Sequence, residues 1–377
     1  MRILHVIPAL GVGGAEIVLS QLLLHPLSKG VDHRVVCLGA PGVIGAQLEA
    51  KGIGTRTLRV SPKNPASLIR LFSLKQEVNE FRPDLIQTWM YHANLLAALF
   101  INGTARPPVV WALHQDITDR SWIKPSTMAV IKMGTVFSKS YPARIISVSE
   151  RAVETHVEIG YRREKFTVIP NGFEIPELKK DEAAGSALAV ELGLPRGSLL
   201  VGLFARYHPM KDHANFLAAA ELVHRQLPEV HFVLAGRQVD TNNPALVTDI
   251  DSRGLAQVVH LLGQRSDIPH LLEGLTLYTI SSRSEGFPLS VGEAMATGVP
   301  CVVTDVGDAA KLVGETGLVV PPKDPAALAA TCMKILRTSF EERRALGLQA
   351  RARIVERFSL DKMVASYYQV YNQVLNG

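Results

Sequence analysis

Short apolar runs rich in β-branched residues alternate with amphipathic stretches along most of the 377-residue chain. In the first half this alternation predicts strands at residues 3–7, 33–38, 55–60, 85–87, 109–113, 144–148 and 167–169. Between the strands, segments such as 65–81 and 149–158 carry apolar residues at helical spacing. Alternation of this kind is typical of a parallel, doubly wound α/β sheet.

A polar segment rich in Lys, Glu, Ala and Pro, residues 174–198, interrupts the pattern and predicts a linker. Beyond it the alternation restarts, with strands predicted at 199–204, 231–235, 258–262, 277–280, 300–303 and 317–320. The sequence therefore predicts two Rossmann-like domains, residues 1–173 and 199–359, with an amphipathic closing helix at 360–377 that joins the first domain. Because ligands bind at the carboxyl ends of parallel strands, we expect a site in a cleft between the domains.

The composition, with 47% hydrophobic and 20% charged residues, is that of an ordinary globular chain. No apolar run approaches the ~20 residues of a membrane span, and Pro8 and Glu16 interrupt any signal-peptide core. The three cysteines (Cys37, Cys301 and Cys332) lie in or beside apolar runs, which predicts buried thiols in a reducing cytosol. We therefore expect a cytoplasmic protein.

Positive charge is concentrated in the first half of the chain. Residues 1–172 carry 20 Lys and Arg against 12 Asp and Glu, whereas the remainder carries 20 against 23. This excess predicts an anionic partner, either a phosphorylated substrate or an acidic lipid. Nucleic acid is the weakest candidate because no known DNA- or RNA-binding module accompanies the charge.

Residues 120–140 form a basic amphipathic segment with two faces. One face carries Lys124, Lys132 and Lys139, and the other carries Ala129, Met133, Val136 and Phe137. Such a helix can lie on an anionic bilayer. Equally, it can pack on its own domain and leave the lysines in solvent.

The first strand ends in the glycine-rich stretch GVGGAE, residues 11–16, and a helix follows. A strand, a glycine turn and a helix present backbone N–H groups to a phosphate. Gly11 and Gly13 fit the dinucleotide-binding fingerprint, but Glu16 stands at its last glycine. The second strand also ends without an acidic residue, at Leu38, which argues against an NAD-dependent oxidoreductase.

Two cations follow the first strand of the second domain. Arg206 and Lys211 stand just before a predicted helix, where two cations and a helix N-terminus can clamp a diphosphate. The alternative is a solvated basic loop.

A second candidate lies in the stretch EGFPLSVGE, residues 285–293. Glu285 stands in a loop, Pro288 suits a first helical turn, and the N–H groups from Phe287 to Ser290 can receive an anion or a sugar oxygen. Glu293, further into the helix, can accept two hydrogen bonds from a ribose diol, which leaves Glu285 to face the sugar. The alternative is two surface glutamates at a helix start.

Two further polar positions follow strands of the first domain. His114 can donate to a sugar hydroxyl or to developing charge, or it can be a structural histidine bonded to a loop. Asn171 and Gly172 form either a domain-exit turn or a lining of the cleft. The sequence Asp249-Ile250-Asp251, a metal-binding pattern in many sugar transferases, falls in a helical stretch and is interpreted as surface.

Together these motifs make the chain resemble the family 4 glycosyltransferases, retaining enzymes of the GT-B fold, over almost its whole length. The matching features are the GGAE loop (Gly13–Glu16), His114, IPNG (Ile169–Gly172), the pair Arg206 and Lys211, and EGFPLSVGE (Glu285–Glu293). The segment Tyr207–Met210 between the two cations is bulkier than the glycine-richer forms of the family.

The resemblance implies roles for the matching residues. Arg206 and Lys211 would stabilise the departing diphosphate without a metal, and Glu293 would hold the ribose. Glu285 would hold the donor sugar together with the backbone of Gly286, Phe287, Pro288 and Leu289, and His114 would stand beside that sugar. Gly13, Gly14 and Asn171 would line the donor site, and Arg265 would flank the base.

The resemblance thus implies metal-independent transfer, without a cofactor, from a nucleotide-diphosphate sugar, expected to be a UDP-sugar. The acceptor would be a growing glycan or a glycolipid at the inner face of the cytoplasmic membrane. The alternatives are a nucleotide-sugar 2-epimerase on the same fold and a non-catalytic nucleotide-sugar-binding protein.

Overall fold

The alternating pattern forms two all-parallel sheets in the computed structural model, which describes residues 1–61, 63–103, 106–178 and 183–377. The chain divides into two units. Unit 1 comprises Met1–Gly172 and Leu360–Gly377, and unit 2 comprises Phe173–Ser359.

Unit 1 has seven strands: β1 (Arg2–Ile7), β2 (Asp32–Cys37), β3 (Gly54–Thr57), β4 (Leu85–Trp89), β5 (Val109–Leu113), β6 (Arg144–Ser147) and β7 (Phe166–Val168). Its helices are α1 (Gly14–Leu24), α2 (Val43–Ala50), α3 (Ser73–Phe81), α4 (Met90–Phe100), α5 (Pro125–Ser138), α6 (Glu150–Glu158) and α15 (Leu360–Asn376). Short 3-10 helices span Pro26–Ser28, Pro65–Phe72 and Arg163–Lys165.

Unit 2 has six strands: β8 (Leu199–Phe204), β9 (Val230–Ala235), β10 (Val259–Leu261), β11 (Leu277–Thr279), β12 (Cys301–Thr304) and β13 (Leu318–Val320). Its helices are α7 (Ala183–Glu191), α8 (His213–His224), α9 (Pro244–Ser252), α10 (Ile268–Glu273), α11 (Leu289–Ala296), α12 (Ala309–Val313), α13 (Pro325–Leu336) and α14 (Phe340–Arg357). Short 3-10 helices span Pro209–Lys211 and Gly314–Thr316.

Both sheets are doubly wound, as predicted. The strand orders are β3-β2-β1-β4-β5-β6-β7 in unit 1 and β10-β9-β8-β11-β12-β13 in unit 2. The order reverses between β1 and β4 and between β8 and β11. At such a switch point neighbouring loops leave the sheet in opposite directions and open a ligand-binding crevice at the strand ends.

Hydrophobic clusters cover both faces of the unit 1 sheet. One joins residues of α1 and α2 with Met363, Val364 and Tyr367 of α15, and the other joins residues of α3, α4 and α5. The closing helix therefore packs as part of unit 1.

Within the predicted linker, residues 179–182 lie outside the described residues, but α7 begins directly after them. Leu188 and Ala189 are fully buried, and a Cβ on Gly274 would lie 2.4 Å from the Leu188 side chain. This close approach seats α7 at the end of α10. Its Ala-rich composition carries no amphipathic pattern, so the sequence of this segment resembles a linker.

The three cysteines are free and buried, and burial raises the pKa of each thiol. No helix within the described ranges combines the length and the apolar character needed to cross a bilayer.

Candidate functional site

The switch point of unit 2 brings the two most distinctive sequence stretches side by side. Strands β8 and β11 pair through Leu277 with Val201 and Tyr278 with Gly202, so the loops that follow them are neighbours. The Ser281 hydroxyl donates to the carbonyls of both Lys211 and Asp212, each at 2.9 Å. The Arg283 N–H donates to the Met210 carbonyl at 2.8 Å.

Lys211 and Glu285 form an ion pair in these loops. The Lys211 Nζ donates to Glu285 Oε1 at 2.6 Å, and the Ser282 hydroxyl donates to the same oxygen at 2.6 Å. The side chains are 21% and 9% exposed respectively. Partial burial strengthens this pairing relative to a surface salt bridge.

Arg206 remains available for an anion. Its side chain is exposed, and no described carboxylate forms an ion pair with it. Burial lowers the pKa of the neighbouring His208, and the charges of Arg206 and Lys211 lower it further. Both cations therefore lie close enough to this imidazole to disfavour its protonated form.

The bulky segment between the cations forms a tight turn. The Met210 N–H donates to Nδ1 of His208 at 3.2 Å, and Pro209 begins the 3-10 helix that ends at Lys211. Histidine and proline therefore shape this turn.

The loop before α11 is fixed by packing. The Phe287 ring lies 6.3 Å from the Phe173 ring and 5.4 Å from the Phe358 ring, and the Asp308 N–H donates to the Gly286 carbonyl at 3.0 Å. Pro288 is the N-cap residue of α11. The N–H groups of the following turn, which begins at Leu289, have no acceptor within the helix and can receive an oxygen.

Glu293 lies in the second turn of α11. Burial and the nearby Glu174 carboxylate raise the pKa of Glu293. Among the described residues, none donates a hydrogen bond to its carboxylate. A half-buried carboxylate without a donor is suited to receive hydroxyl groups of a ligand.

Arg265 forms local ion pairs. Its guanidinium donates to both Asp267 oxygens at 2.8 and 2.6 Å and to Glu191 at 2.6 Å. These pairs link the loop after β10 to α7. Its contact with a base stays a prediction.

In unit 1, Gly13 is the N-cap residue of α1, and Gly14 is its first residue. A Cβ on Gly13 would lie 2.5 Å from Glu16 Oε2, so the Glu16 side chain folds back over the start of the helix. A carboxylate is favourable there because it faces the positive end of the helix dipole. The Glu16 carboxylate thus lies at the position where a dinucleotide-binding helix would receive a pyrophosphate.

His114 follows β5 and stacks on Trp89, with ring centroids 5.3 Å apart. Burial lowers the pKa of His114 to about 3, and its Nε2 has no hydrogen-bond partner among the described residues. The Trp89 indole N–H donates to Nδ1 of His5 at 3.3 Å. The result is a neutral imidazole with one uncommitted nitrogen.

The other positions singled out in the sequence lie among contacts that hold the fold together. Asn171 is buried, and the next N–H, that of Gly172, donates to the Met363 sulfur at 3.0 Å, which ties this turn to α15. Asp249 pairs with Arg253 within the α9 region. No group of three or more potential ligands with metal-binding geometry occurs in the described part of the chain.

Sequence reasoning missed the residues that hold the site together, namely Asp212, Ser281, Ser282 and Arg283. The signal that could have found them is the polar run SSRSE, residues 281–285, directly after a buried strand. Polar residues at the end of a parallel strand serve a site more often than a core.

Comparisons with known proteins agree with this architecture. Residues 12–175 match the family model described as Glycosyltransferase Family 4, and residues 198–338 match the one described as Glycosyl transferases group 1. Together the two models cover most of both units.

The chain is 27% identical over 247 residues to the UDP-Gal:alpha-D-GlcNAc-diphosphoundecaprenol alpha-1,3-galactosyltransferase of Escherichia coli, covering 65% of this chain and 62% of that protein. It is 27% identical over 301 residues to the lipopolysaccharide core biosynthesis mannosyltransferase LpsB of Rhizobium meliloti, covering 74% of this chain and 84% of that protein. The chain thus spans about three fifths of the length of the E. coli relative.

Among solved structures, HepE of Anabaena in complex with UDP-glucose superposes with a TM-score of 0.85 at 25% identity, covering 99% of this chain and all of that one. The sucrose-phosphate synthase of Thermosynechococcus elongatus superposes with a TM-score of 0.83 at 18% identity, covering both chains completely. The predicted fold class is confirmed.

Proposed function

We propose that this chain, which belongs to the glycosyltransferases built from a family 4 domain and a group 1 domain, transfers a glycosyl residue from a nucleotide-diphosphate sugar to a glycan or lipid-linked acceptor. The observation that carries the proposal is the ion pair of Lys211 with Glu285 at the switch point of unit 2, with the exposed Arg206 on the same loop as Lys211. Cations there can bind a diphosphate, and a carboxylate can hold the sugar.

The finer proposal is a UDP-sugar donor, as in the HepE complex and in the name of the E. coli relative. Glu293 would accept the ribose hydroxyls, and the turn at Gly286–Leu289 would hold the sugar with Glu285. His114, Gly13, Gly14 and Asn171 of unit 1 and Arg265 of unit 2 keep the donor-site roles that the resemblance implies.

In the proposed reaction the bond between the sugar and the diphosphate oxygen breaks, and an acceptor oxygen bonds to the same face of that carbon. Because this is the face from which the diphosphate departs, the configuration is retained, and the acceptor proton passes to the departing diphosphate. Arg206 and Lys211 stabilise the negative charge that develops on the leaving group. We propose that this stabilisation needs no metal ion and no cofactor.

Arg206→Ala and Lys211→Ala test the cation roles. Each is expected to lower kcat about 100-fold, the usual cost of removing a group that stabilises transition-state charge. Lys334→Ala, an exposed lysine of α13, is the matched control and should leave kcat unchanged. Unchanged turnover in Arg206→Ala and Lys211→Ala would contradict the proposal that these residues bind the donor diphosphate.

A panel of UDP-, GDP- and ADP-sugars, assayed with diphospholipid-linked acceptors, identifies the donor. A product isomerised from the donor alone would instead indicate an epimerase, and binding without turnover would indicate a non-catalytic protein. EDTA should leave the transfer rate intact, and a loss restored by Mg²⁺ would contradict metal independence.

The acceptor proposal includes an anionic membrane surface, contacted by unit 1 from the cytoplasmic side. In α5, Met133 and Val136 are 48% and 65% exposed, and Lys132 is exposed beside them. The 3-10 helix Pro65–Phe72, on the same side of the sheet, exposes further apolar side chains: Leu68, Ile69 and Phe72.

The charge around these side chains is of one sign. Residues 57–76 contain four Lys and Arg and no Asp or Glu, and residues 120–149 contain five and none. Exposed apolar side chains on segments that carry only positive charge suit an anionic bilayer.

Cosedimentation with vesicles of phosphatidylcholine with or without phosphatidylglycerol tests the membrane proposal. Ile69→Glu with Val136→Glu should abolish binding to the anionic vesicles, whereas Phe340→Glu, an exposed residue beside acidic neighbours in unit 2, should not. Equal binding by the wild type, the double variant and Phe340→Glu would contradict the proposal that this face contacts the membrane.

A further inference from the structure

Asp212 has a backbone conformation that needs an explanation. Its φ of 48° and ψ of 54° lie in the left-handed region, which is unfavourable for a residue with a side chain. It is the N-cap residue of α8, where an aspartate usually accepts a backbone N–H, but its side chain forms no capping hydrogen bond. Glycine would adopt the conformation without cost, so the carboxylate must serve another purpose.

That purpose is visible in the next loop. Arg283 donates from Nε to Asp212 Oδ2 at 2.6 Å and from Nη2 to Oδ1 at 2.9 Å, so the pair is bidentate. The Asp212 side chain is only 3% exposed, and that of Arg283 is 32% exposed. A bidentate pair at this burial fixes both distance and orientation.

The pair belongs to a set of contacts that binds residues 281–283 to the turn carrying Lys211. The Arg283 N–H donates to Met210, and the Ser281 hydroxyl donates to the carbonyls of Lys211 and Asp212. Three consecutive residues of the cation loop, Met210 to Asp212, are therefore held from the loop that also carries Glu285.

We propose that Asp212 and Arg283 are positioning residues for the transfer reaction, which set the ammonium of Lys211 at its place against the donor diphosphate. The proposal rests on the proposed function of this site. Neither residue needs to touch the donor: Asp212 acts through the backbone of Lys211, and Arg283 acts through Asp212.

The decisive variant is Asp212→Gly, because glycine keeps the left-handed turn and removes only the carboxylate. We expect kcat to fall about ten- to a hundred-fold, as for a displaced catalytic group, while the donor KM changes less than about three-fold, because Arg206 and Glu293 still bind the ground state. Arg283→Met should behave similarly, and Arg283→Lys, which keeps the charge but not the fork, should recover only part of the activity.

A double-mutant cycle separates positioning from general destabilisation. If Asp212 acts through Lys211, Asp212→Gly should cost nothing further in a Lys211→Ala background. Lys323→Gly, another left-handed residue of unit 2, controls for the backbone change, and Asp249→Asn controls for the loss of an ion pair. Both controls should keep the wild-type kcat, and all variants are compared by Tm.

The outcomes are distinct. Wild-type turnover, together with a loss in Asp212→Gly that disappears in the Lys211→Ala background, supports the proposal. Wild-type turnover with full activity in Asp212→Gly, or additive losses in the cycle, overturns it and leaves the proposed function intact. A wild-type protein that neither turns over any nucleotide sugar nor binds UDP overturns both.

Discussion

Glu285 and Glu293 lie on the same short stretch of chain, but their surroundings differ. Lys211 and Ser282 hold the Glu285 carboxylate at hydrogen-bond distance. The pKa of Glu293 is raised by burial and by Glu174, and no described residue donates to its carboxylate. Glu285 is thus fixed before any ligand arrives, whereas we propose that Glu293 gains its partners from the ligand.

Glu293→Gln tests this difference. Because a hydrogen bond to a charged group contributes about 1.5–3 kcal/mol, we expect UDP affinity to fall at least ten-fold. The variant should also lose the preference for UDP over 2′,3′-dideoxy-UDP, measured by calorimetry. Glu315→Gln, an exposed residue of unit 2, should keep both properties. An unchanged preference in Glu293→Gln would place the ribose elsewhere.

The neutral state of His114 leads to a prediction about pH. Burial lowers its pKa to about 3, so the imidazole stays uncharged throughout the range in which the protein is assayed. The pH profile of kcat should therefore show no step near 6.5 that depends on this residue. His114→Asn should lower kcat at every pH by a similar factor. A step near 6.5 that is present in the wild type and absent in this variant would contradict a neutral role.

At the scale of elements, the turn after β12 supports the turn before α11. Gly307 has φ +55°, and a Cβ there would lie 2.1 Å from the Glu285 carbonyl oxygen and 2.7 Å from that of Gly286. The next N–H, that of Asp308, donates to the Gly286 carbonyl. The position of Glu285 thus depends on a glycine twenty-two residues away.

Gly307→Ala should push the Glu285 turn away and lower both kcat and Tm. Gly254→Ala is the matched control, because Gly254 also has a positive φ (+70°) but nothing lies within 4 Å of its added Cβ. The control should lose only the roughly 1 kcal/mol of a left-handed alanine and keep full activity. Equal effects in the two variants would show that backbone strain alone is responsible.

At the scale of the molecule, buried neutral histidines link stability to pH. Burial lowers the pKa of His33, His156 and His213 to about 4, against an ordinary value of 6.5. Between these values the unfolded chain binds more protons than the folded one, so the free energy of unfolding decreases as the pH falls.

Urea titrations at pH 7.5, 6.0 and 5.0 check this linkage. Stability should be complete above about pH 6.5 and fall toward pH 4, by up to about 1.4 kcal/mol per pH unit for each such histidine. Unit 1, with His33 and His156, should lose more than unit 2. A constant free energy of unfolding over this range would contradict the burial of these groups in the neutral form.

Local patterns in the sequence were enough to predict the strands, their parallel arrangement and the chemistry of the candidate residues. Period-two and helical patterns reflect local burial, and strand-end residues such as Arg206, His114 and Glu285 stand out because polar groups there interrupt apolar runs. The motifs also carried the family resemblance, since each is a short contiguous stretch.

Which of these groups become neighbours depends on long-range packing. Lys211 and Glu285 are 74 residues apart in sequence, and Asp212 and Arg283 are 71 apart. They become neighbours because β8 pairs with β11 at the switch point, a long-range choice that no local pattern encodes. Long-range packing also explains α7, whose composition predicts a linker but whose Leu188 packs against Gly274. It explains Arg265 as well, which forms ion pairs with Glu191 of α7 and with the nearby Asp267.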